Sequence, residues 1–488
     1  MNESTHFELA PGLKISRVLT GLWQIADLER NGRTLDAEET APFMEAYTRA
    51  GFHTFDMADH YGSAEVISGV FRNSLAQPDQ VQLFTKWVPE PGKVSKETIR
   101  EAVDKALTRL QSDQLDLLQY HAWLYPDPSW LDTLFELQEL QQQGLIKHLG
   151  VTNFDAAHLR VALASGIKLV SNQVCYSLLD QRASGEMKAV CDRYNVKLLA
   201  FGTLAGGFLS ERWLNKPEPA IDDSYTWSQM KYKRFIDQVG SWADFQSLLA
   251  QINSIASKHG VSMANVATKF IMEQPHVAGV ILGARLGQNE HIAENQKLFE
   301  FSLDEEDQHA IQHALHQFDP IPGDCGDEYR KPPFLTASGD LSHHVNGFPD
   351  PYPTQTNSKG NTMALSGTPW EPLAGYCRAM RIGNTIKVSG TTATHGDRLI
   401  GGDDLKAQTH FIIDKIEGSL ISLGGTLEDV DRTRIFIHDV NDWEPVSIAH
   451  GERFRDIQPA NTLVEARLVG EGYKVEIEAE ATLNDDAV

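Results

Sequence analysis

Between residues 17 and 283 the chain alternates short apolar runs with longer segments of helical period, and this alternation limits the fold more than any other feature. One run occupies residues 17–23, and the others centre near Phe55, Leu83, Leu117, Leu149, Val174, Leu199 and Ile281. Segments between them, such as 36–49, 97–110 and 130–143, repeat apolar positions at the spacing that gives a helix one buried face. Strands buried on both faces read as continuous apolar runs, and parallel strands need crossover helices to connect them. Eight such units predict an α/β fold, a (β/α)8 TIM barrel with its helices outside. The repeat is architectural, with no sequence self-similarity between units.

Three of the runs deliver titratable side chains at their ends. The run to Phe55 ends at Asp56, with Tyr61 following on a turn closed by Gly62; 81–86 ends in Lys86; 115–121 ends in His121. A parallel barrel places its chemistry at those strand ends. Together the four side chains suit carbonyl reduction, which needs a proton donor beside an oxygen that is gaining negative charge. A free tyrosine, with a pKa of roughly 10, donates sluggishly at neutral pH, and an adjacent ammonium favours its phenolate. Asp56 suits holding Lys86 in place, and His121 suits orienting the substrate oxygen. Taken singly, Asp56 with Lys86 is equally a structural ion pair, and Tyr61 and His121 are equally packing groups at the barrel mouth. In chain order and local context the four resemble the catalytic tetrad of the aldo-keto reductases.

That resemblance covers about residues 8–320 and implies binding of NADP(H). It assigns Thr152, Asn153 and Gln173 to the nicotinamide carboxamide, whose donors and acceptors their side chains match. It places Phe201, where the family commonly has tyrosine, as the ring that stacks on the nicotinamide. It sets Gly202, Thr203, Leu204 and Gly206 along the pyrophosphate. Arg285, Gln288, Glu294 and Asn295 fall where the family binds the adenosine phosphate, and Arg285 suits a 2′-phosphate by bidentate contact. Trp23, Trp87, Trp123 and Tyr125 follow strand ends and are expected to wall an aromatic substrate pocket. The aromatic-rich interval 209–240 reads either as a cover over substrate or cofactor or as an ordinary surface excursion.

Composition narrows the setting. The formal net charge of −24 argues against nucleic acid or an anionic membrane surface as partner. The 4 cysteines are scattered without metal or redox spacing, and no apolar stretch reaches membrane-spanning length. With no signal peptide legible after Met1, a cytoplasmic enzyme is expected.

After residue 318 the composition turns rich in Pro, Gly, Ser, Thr and Asn, so residues 319–369 read as a linker between two domains. Its early part, carrying Tyr329, Phe334 and Leu335, is a candidate cover for the barrel mouth. His343, His344 and Cys325 match no zinc spacing, and no metal site is expected. Residues 370–488 read as an α+β unit: a hairpin turning at Gly383-Asn384, an amphipathic helix over 404–423, a strand over 431–437, a helix over 443–455, and strands over 461–468 and 473–483. The runs 375–379, 388–390, 458–460 and 475–479 resemble the Rid family, whose fold is chorismate-mutase-like and whose best-known members are trimers that hydrolyse imines and enamines. The resemblance implies a pocket at Tyr376, Asn461, Glu476 and Glu478, and a homotrimer with barrels on flexible tethers. Deaminating members carry arginine at the position of Asn461, and asparagine lacks the charged fork that holds a substrate carboxylate.

The expected function is NADPH-dependent reduction of an aldehyde or ketone, or oxidation of the matching alcohol or sugar, with the second domain as a trimerisation or ligand-binding module. Two alternatives stay open: a cofactor-binding regulatory or scaffold protein, and a two-step enzyme whose second domain processes an imine or related intermediate.

Overall fold

The computed structural model describes residues 5–30, 32–33, 35–288, 291–336 and 347–484; His343 and His344 lie outside them. The first elements are an antiparallel hairpin, β1 (His6–Ala10) and β2 (Leu13–Ser16), which the sequence pattern does not reveal. Eight strands then follow: β3 (Val18–Gly21), β4 (Thr54–Asp56), β5 (Gln82–Trp87), β6 (Leu115–Tyr120), β7 (Ile146–Thr152), β8 (Ser171–Cys175), β9 (Lys197–Phe201) and β10 (Val277–Gly283). They close into a parallel barrel in the order β10-β3-β4-β5-β6-β7-β8-β9. Leu19, Phe84, Leu117, Leu199 and Ile281 pack inside it against Leu9, Leu13 and Ile15 of the hairpin, forming a plug.

Strand alternation decides which side chains reach the barrel mouth. Along β5, Phe84 packs inside and Lys86 opens into the cleft above, whereas Leu83 and Trp87 belong to the layer between strands and helices. Trp87 sits there 6.0 Å from the Tyr120 ring, so the expectation that it walls a substrate pocket is overturned by its parity.

The remaining chain builds a mixed sheet with strands β11 (Thr354–Thr356), β12 (Thr362–Ala364), β13 (Ala379–Ile382) and β14 (Thr385–Thr392), a small hairpin β15 (Thr394–His395) and β16 (Arg398–Leu399), then β17 (Val430–Ile437), β18 (Ala460–Glu465) and β19 (Val475–Thr482). The sheet order is β11-β12-β13-β14-β19-β17-β18, antiparallel except for β17 with β18. Two of its strands, β11 and β12, come from residues read as linker, where short polar strands are masked by a turn-like composition. Gly383-Asn384 does turn the β13–β14 hairpin.

The long helix, Leu405–Ile421, is buried around nearly its whole circumference rather than on one face. One side packs on β14 and β19, and the other meets the barrel helix Ala156–Ala164. Several of its buried polar groups are paired: Gln408 with the Gly402 and Gly472 carbonyls, Lys415 with those of Thr392 and Thr394. Asp404 caps the helix by accepting from the Ala407 amide at 3.0 Å. The same carboxylate takes Arg160 Nε at 2.9 Å and the Tyr194 hydroxyl at 2.7 Å from the barrel. A second contact sets His158 between Asp155, its own helix cap, at 2.6 Å and Asp414 at 3.0 Å. The two units are therefore docked through a buried charged interface, which corrects the expectation of flexible tethers. Among the described residues no helix is long and apolar enough to cross a membrane.

Burial works against the His158 imidazolium, yet Asp155 and Asp414 raise its pKa to about 9 from the ordinary 6.5. A raised folded-state pKa contributes stability that is complete below pH 6.5 and fades as pH climbs through about 9, on the order of 3 kcal/mol. His158→Gln is expected to unfold at lower temperature than the parent at pH 6, with the gap closing towards pH 9.5 as the parent loses its charge. Calorimetry across that range checks it, and a gap independent of pH would contradict the assignment.

Candidate active site

The C-terminal ends of the barrel strands open into a cleft of about 600 Å³ whose wall includes Gly21, Asp56, Lys86, Thr152, Phe201 and Gly283, each at or next to a strand end, and Gln173 from within β8. Asp56 is its hub. One carboxylate oxygen accepts from Lys86 Nζ at 2.6 Å, the other from Gln173 Nε2 at 2.7 Å and Gln119 Nε2 at 3.1 Å. Lys86 also donates to the Met57 carbonyl at 2.7 Å. Burial lowers the Lys86 pKa, and the Asp56 charge opposes that shift. The Lys86 ammonium lies 5.0 Å from the centre of the Tyr61 ring.

His121 is buried, and neither ring nitrogen has a partner at good hydrogen-bond geometry, the Thr152 backbone offering only a looser contact. Burial, helped by the Arg330 guanidinium, holds its pKa well below the usual imidazole range, so the ring is neutral. Such a ring needs a polar ligand atom to satisfy it. Trp123 packs edge-on to His121 at 4.6 Å, and its own indole N–H is spent on the Pro89 carbonyl at 2.7 Å. Trp23 meets the Tyr61 ring at 5.0 Å and Trp227 at 6.0 Å, closing the aromatic wall.

Thr152, Asn153 and Gln173 gather at the ends of β7 and β8. The Thr152 hydroxyl donates to the Gln173 carbonyl at 3.1 Å, and the Asn153 amide N–H does so at 2.8 Å. Asn153 adopts the left-handed conformation, φ 59°, and its buried Oδ1 accepts no hydrogen bond. Phe201, Gly202, Thr203, Leu204 and Gly206 line the cleft from β9 onward. Gly202 has φ +77°, and a β-carbon there would collide with the Tyr232 hydroxyl, so the turn passes where only glycine fits. Arg285 lines the far end with His291, and its guanidinium donates to Gln24 Oε1 at 3.2 Å.

Other expected members lie elsewhere. Gln288 is exposed, and it does not line the cleft; neither do Glu294 and Asn295. Glu294 is engaged with Asn265 at 2.9 Å and Lys297 at 3.3 Å. Tyr125, in the loop after β6, is stacked on His158 at 3.5 Å in the layer outside the barrel, which removes it from the substrate wall. Residues 209–240 do contribute to the cleft, through Arg212, 226–229, Lys231 and Tyr232.

Sequence reasoning missed Gln119, Lys231 and Arg330. Gln119 had a signal, since it lies two residues before His121 and so shares its face of the strand. Tyr329, noted only as a possible cover, lines the cleft and accepts from Lys231 Nζ at 2.6 Å.

On the second sheet, Tyr376 and Glu478 line a separate cleft of about 810 Å³ with Cys377, Ser389 and Lys387. Asn461 and Glu476 do not. Asn461 is exposed on the edge strand β18 and donates to the Thr433 hydroxyl at 2.9 Å. Burial raises the Glu476 pKa, and its carboxylate abuts Gly390. Arg434 brings a cation to this cleft from β17, paired with Glu478 at 2.7 Å and Glu480 at 3.2 Å. Among the described residues no group of side chains could hold a metal ion.

Residues 17–316 match the profile described as Aldo/keto reductase family, and residues 367–483 match that described as Endoribonuclease L-PSP. Protein tas of Escherichia coli is 32% identical over 244 residues, 45% of this chain and 65% of that protein, so less than two thirds of its length is spanned. The glycerol dehydrogenase AKR11B4 of Gluconobacter oxydans superposes with a TM-score of 0.55 at 23% identity, over 66% of this chain and 98% of that one, a likeness of fold. A YjgF/YER057c/UK114 family member of Mycobacterium tuberculosis is 41% identical, covering 25% of this chain and 99% of its own, with a TM-score of 0.24.

Proposed function

The chain belongs to the aldo/keto reductase family, and on that premise we propose that its barrel reduces an aldehyde or ketone at the expense of NADPH, or oxidises the matching alcohol or sugar. The observation that carries this reading is the neutral, unsatisfied His121 facing a cleft that also holds Tyr61 against the Lys86–Asp56 pair. The residues present fit a nicotinamide nucleotide. Asn153 Oδ1 is a buried acceptor in want of an amide donor, the Phe201 ring suits stacking on the nicotinamide, and Arg285 suits a phosphate. When bound, the nicotinamide supplies or accepts the hydride.

The chain's own residues handle the oxygen. His121, neutral, donates an N–H to the substrate oxygen and fixes its direction. Tyr61 passes its phenolic proton to that oxygen as charge develops, and the Lys86 ammonium stabilises the phenolate left behind. Asp56 holds Lys86 on station and is itself held by Gln119 and Gln173. Trp23 and Trp123 exclude water from the reacting face.

For the second unit the favoured role is assembly into a homotrimer. Supporting this are the family match over residues 367–483, the open edge β18 with Val464 exposed, and a sheet face whose cleft is bordered only by the short helix Trp370–Ala374 among the described residues. Cleavage of imino acids is not expected, because the side chain at 461 is a neutral amide bonded to Thr433.

Tyr61→Phe and Lys86→Met are each expected to lower kcat for carbonyl reduction about 10²–10⁴-fold while NADPH still binds. Following NADPH absorbance over a panel of aldehydes, ketones and sugars checks this; near-parental turnover by Tyr61→Phe would remove the proton donor from the scheme.

Arg285→Ala is expected to weaken NADPH far more than NADH, since only the former has a 2′-phosphate. Equal weakening in a fluorescence titration would make Arg285 structural.

Light scattering on the full chain is expected to give three times the 54.3 kDa chain mass, and a monomer would refute the assembly.

A further inference from the structure

We propose that Arg330 is a positioning residue for the reductase site, clamping the loop that carries His121 to the loop that carries Asn153. The proposal rests on the reading of the barrel as a carbonyl reductase and names a part of that site that neither the tetrad nor the nucleotide contacts include.

The need for a clamp follows from the ladder. Strands β6 and β7 are paired up to Tyr120 opposite Val151. Past that point the His121 amide bonds to the Trp87 carbonyl and the Asn153 amide to that of Gln173, so each loop is fastened to the strand on its far side. Arg330 spans the gap between them. Its Nε and Nη2 donate to the Ala122 carbonyl at 2.9 and 2.6 Å, and its Nη1 donates to the Asn153 carbonyl at 2.8 Å. One planar guanidinium thus sets the distance between the residue after His121 and the backbone of Asn153.

The guanidinium is itself fixed from behind. It lies 4.5 Å from the Tyr125 ring, which stacks on His158 with an interplanar angle of 5°. His158 is the group held between Asp155 and Asp414, so the second unit supports the stack. The strap leading to Arg330 approaches so closely that a β-carbon on Gly326, φ +82°, would collide with the Asn153 carbonyl and with Arg330. Tyr329, next in sequence, puts its ring 5.9 Å from His121. Clamp and cleft wall therefore come from one short helix, Asp327–Arg330. The Asn153 carbonyl is the one fixed by its left-handed backbone, a conformation that asparagine tolerates but does not prefer.

The test uses Arg330→Met and Arg330→Lys in the full chain. The Met variant should bind NADPH about tenfold more weakly, or worse, by quenching of tryptophan fluorescence, and should lose kcat as well. The Lys variant should recover only part of both, since one ammonium reaches one carbonyl. Without nucleotide, the His121 imidazole resonances in NMR should move in both variants, a readout independent of turnover. A folded Arg330→Lys protein with parental affinity and an unmoved His121 resonance overturns the clamp, whether or not Arg330→Met folds. If the parent protein binds nucleotide but reduces no carbonyl, the reading of the barrel falls, while the affinity ratio and the His121 resonance still decide the role of Arg330.

Discussion

Everything at the barrel mouth depends on one buried carboxylate. Asp56 and Lys86 are almost completely withdrawn from solvent, and the cost of desolvating two such ions is several kcal/mol each unless good geometry offsets it. The offset comes from side chains on other strands, Gln119 from β6 and Gln173 from β8, which satisfy the carboxylate oxygen that Lys86 leaves over. Side chains from three strands of a closed barrel converge on the two carboxylate oxygens of a fourth. The Lys86 ammonium is therefore placed by the strand ladder, and Tyr61 meets it from the turn that follows β4, where its amide bonds to the Ala58 carbonyl. The same network gives Gln173 a second duty, because its amide nitrogen is committed to Asp56 and Gln119 and only its carbonyl oxygen remains for other partners.

The sequence made the barrel legible because parallel strands advertise themselves as apolar runs, and all eight lie where those runs fall. Strand parity is equally legible: Trp87 follows Lys86 on one strand and so must face away from the pocket. The β1–β2 hairpin was hidden by its shortness. Arg330 and Lys231 were hidden for a different reason: their partners are backbone carbonyls and a phenol brought near by the fold, and no local spacing encodes such contacts. On the second sheet, β11 and β12 are polar and only three residues each, too brief for an alternating pattern to stand out from a turn-rich stretch.

The Leu405–Ile421 helix shows how a sound reading can still mislead. Its apolar positions suggest a single buried face, but the charged and polar residues on the other side are buried too, against the barrel. Asp404 does two things at once, capping the helix and receiving Arg160 and Tyr194. Buried carboxylates of this kind demand named partners, so the docking has a defined register in place of a greasy patch that could slide.

The strap from Ile321 to Thr336 makes the two units depend on one another. Tyr329 forms part of the barrel cleft, yet it lies beyond the last barrel helix, on the stretch that leads towards the second sheet. A gene cut at that helix would yield a barrel with a gap in its wall, and a gene encoding the second sheet alone would leave Asp404 and Asp414 without cations from the barrel. Dividing the chain there would expose surfaces on both halves that are now buried.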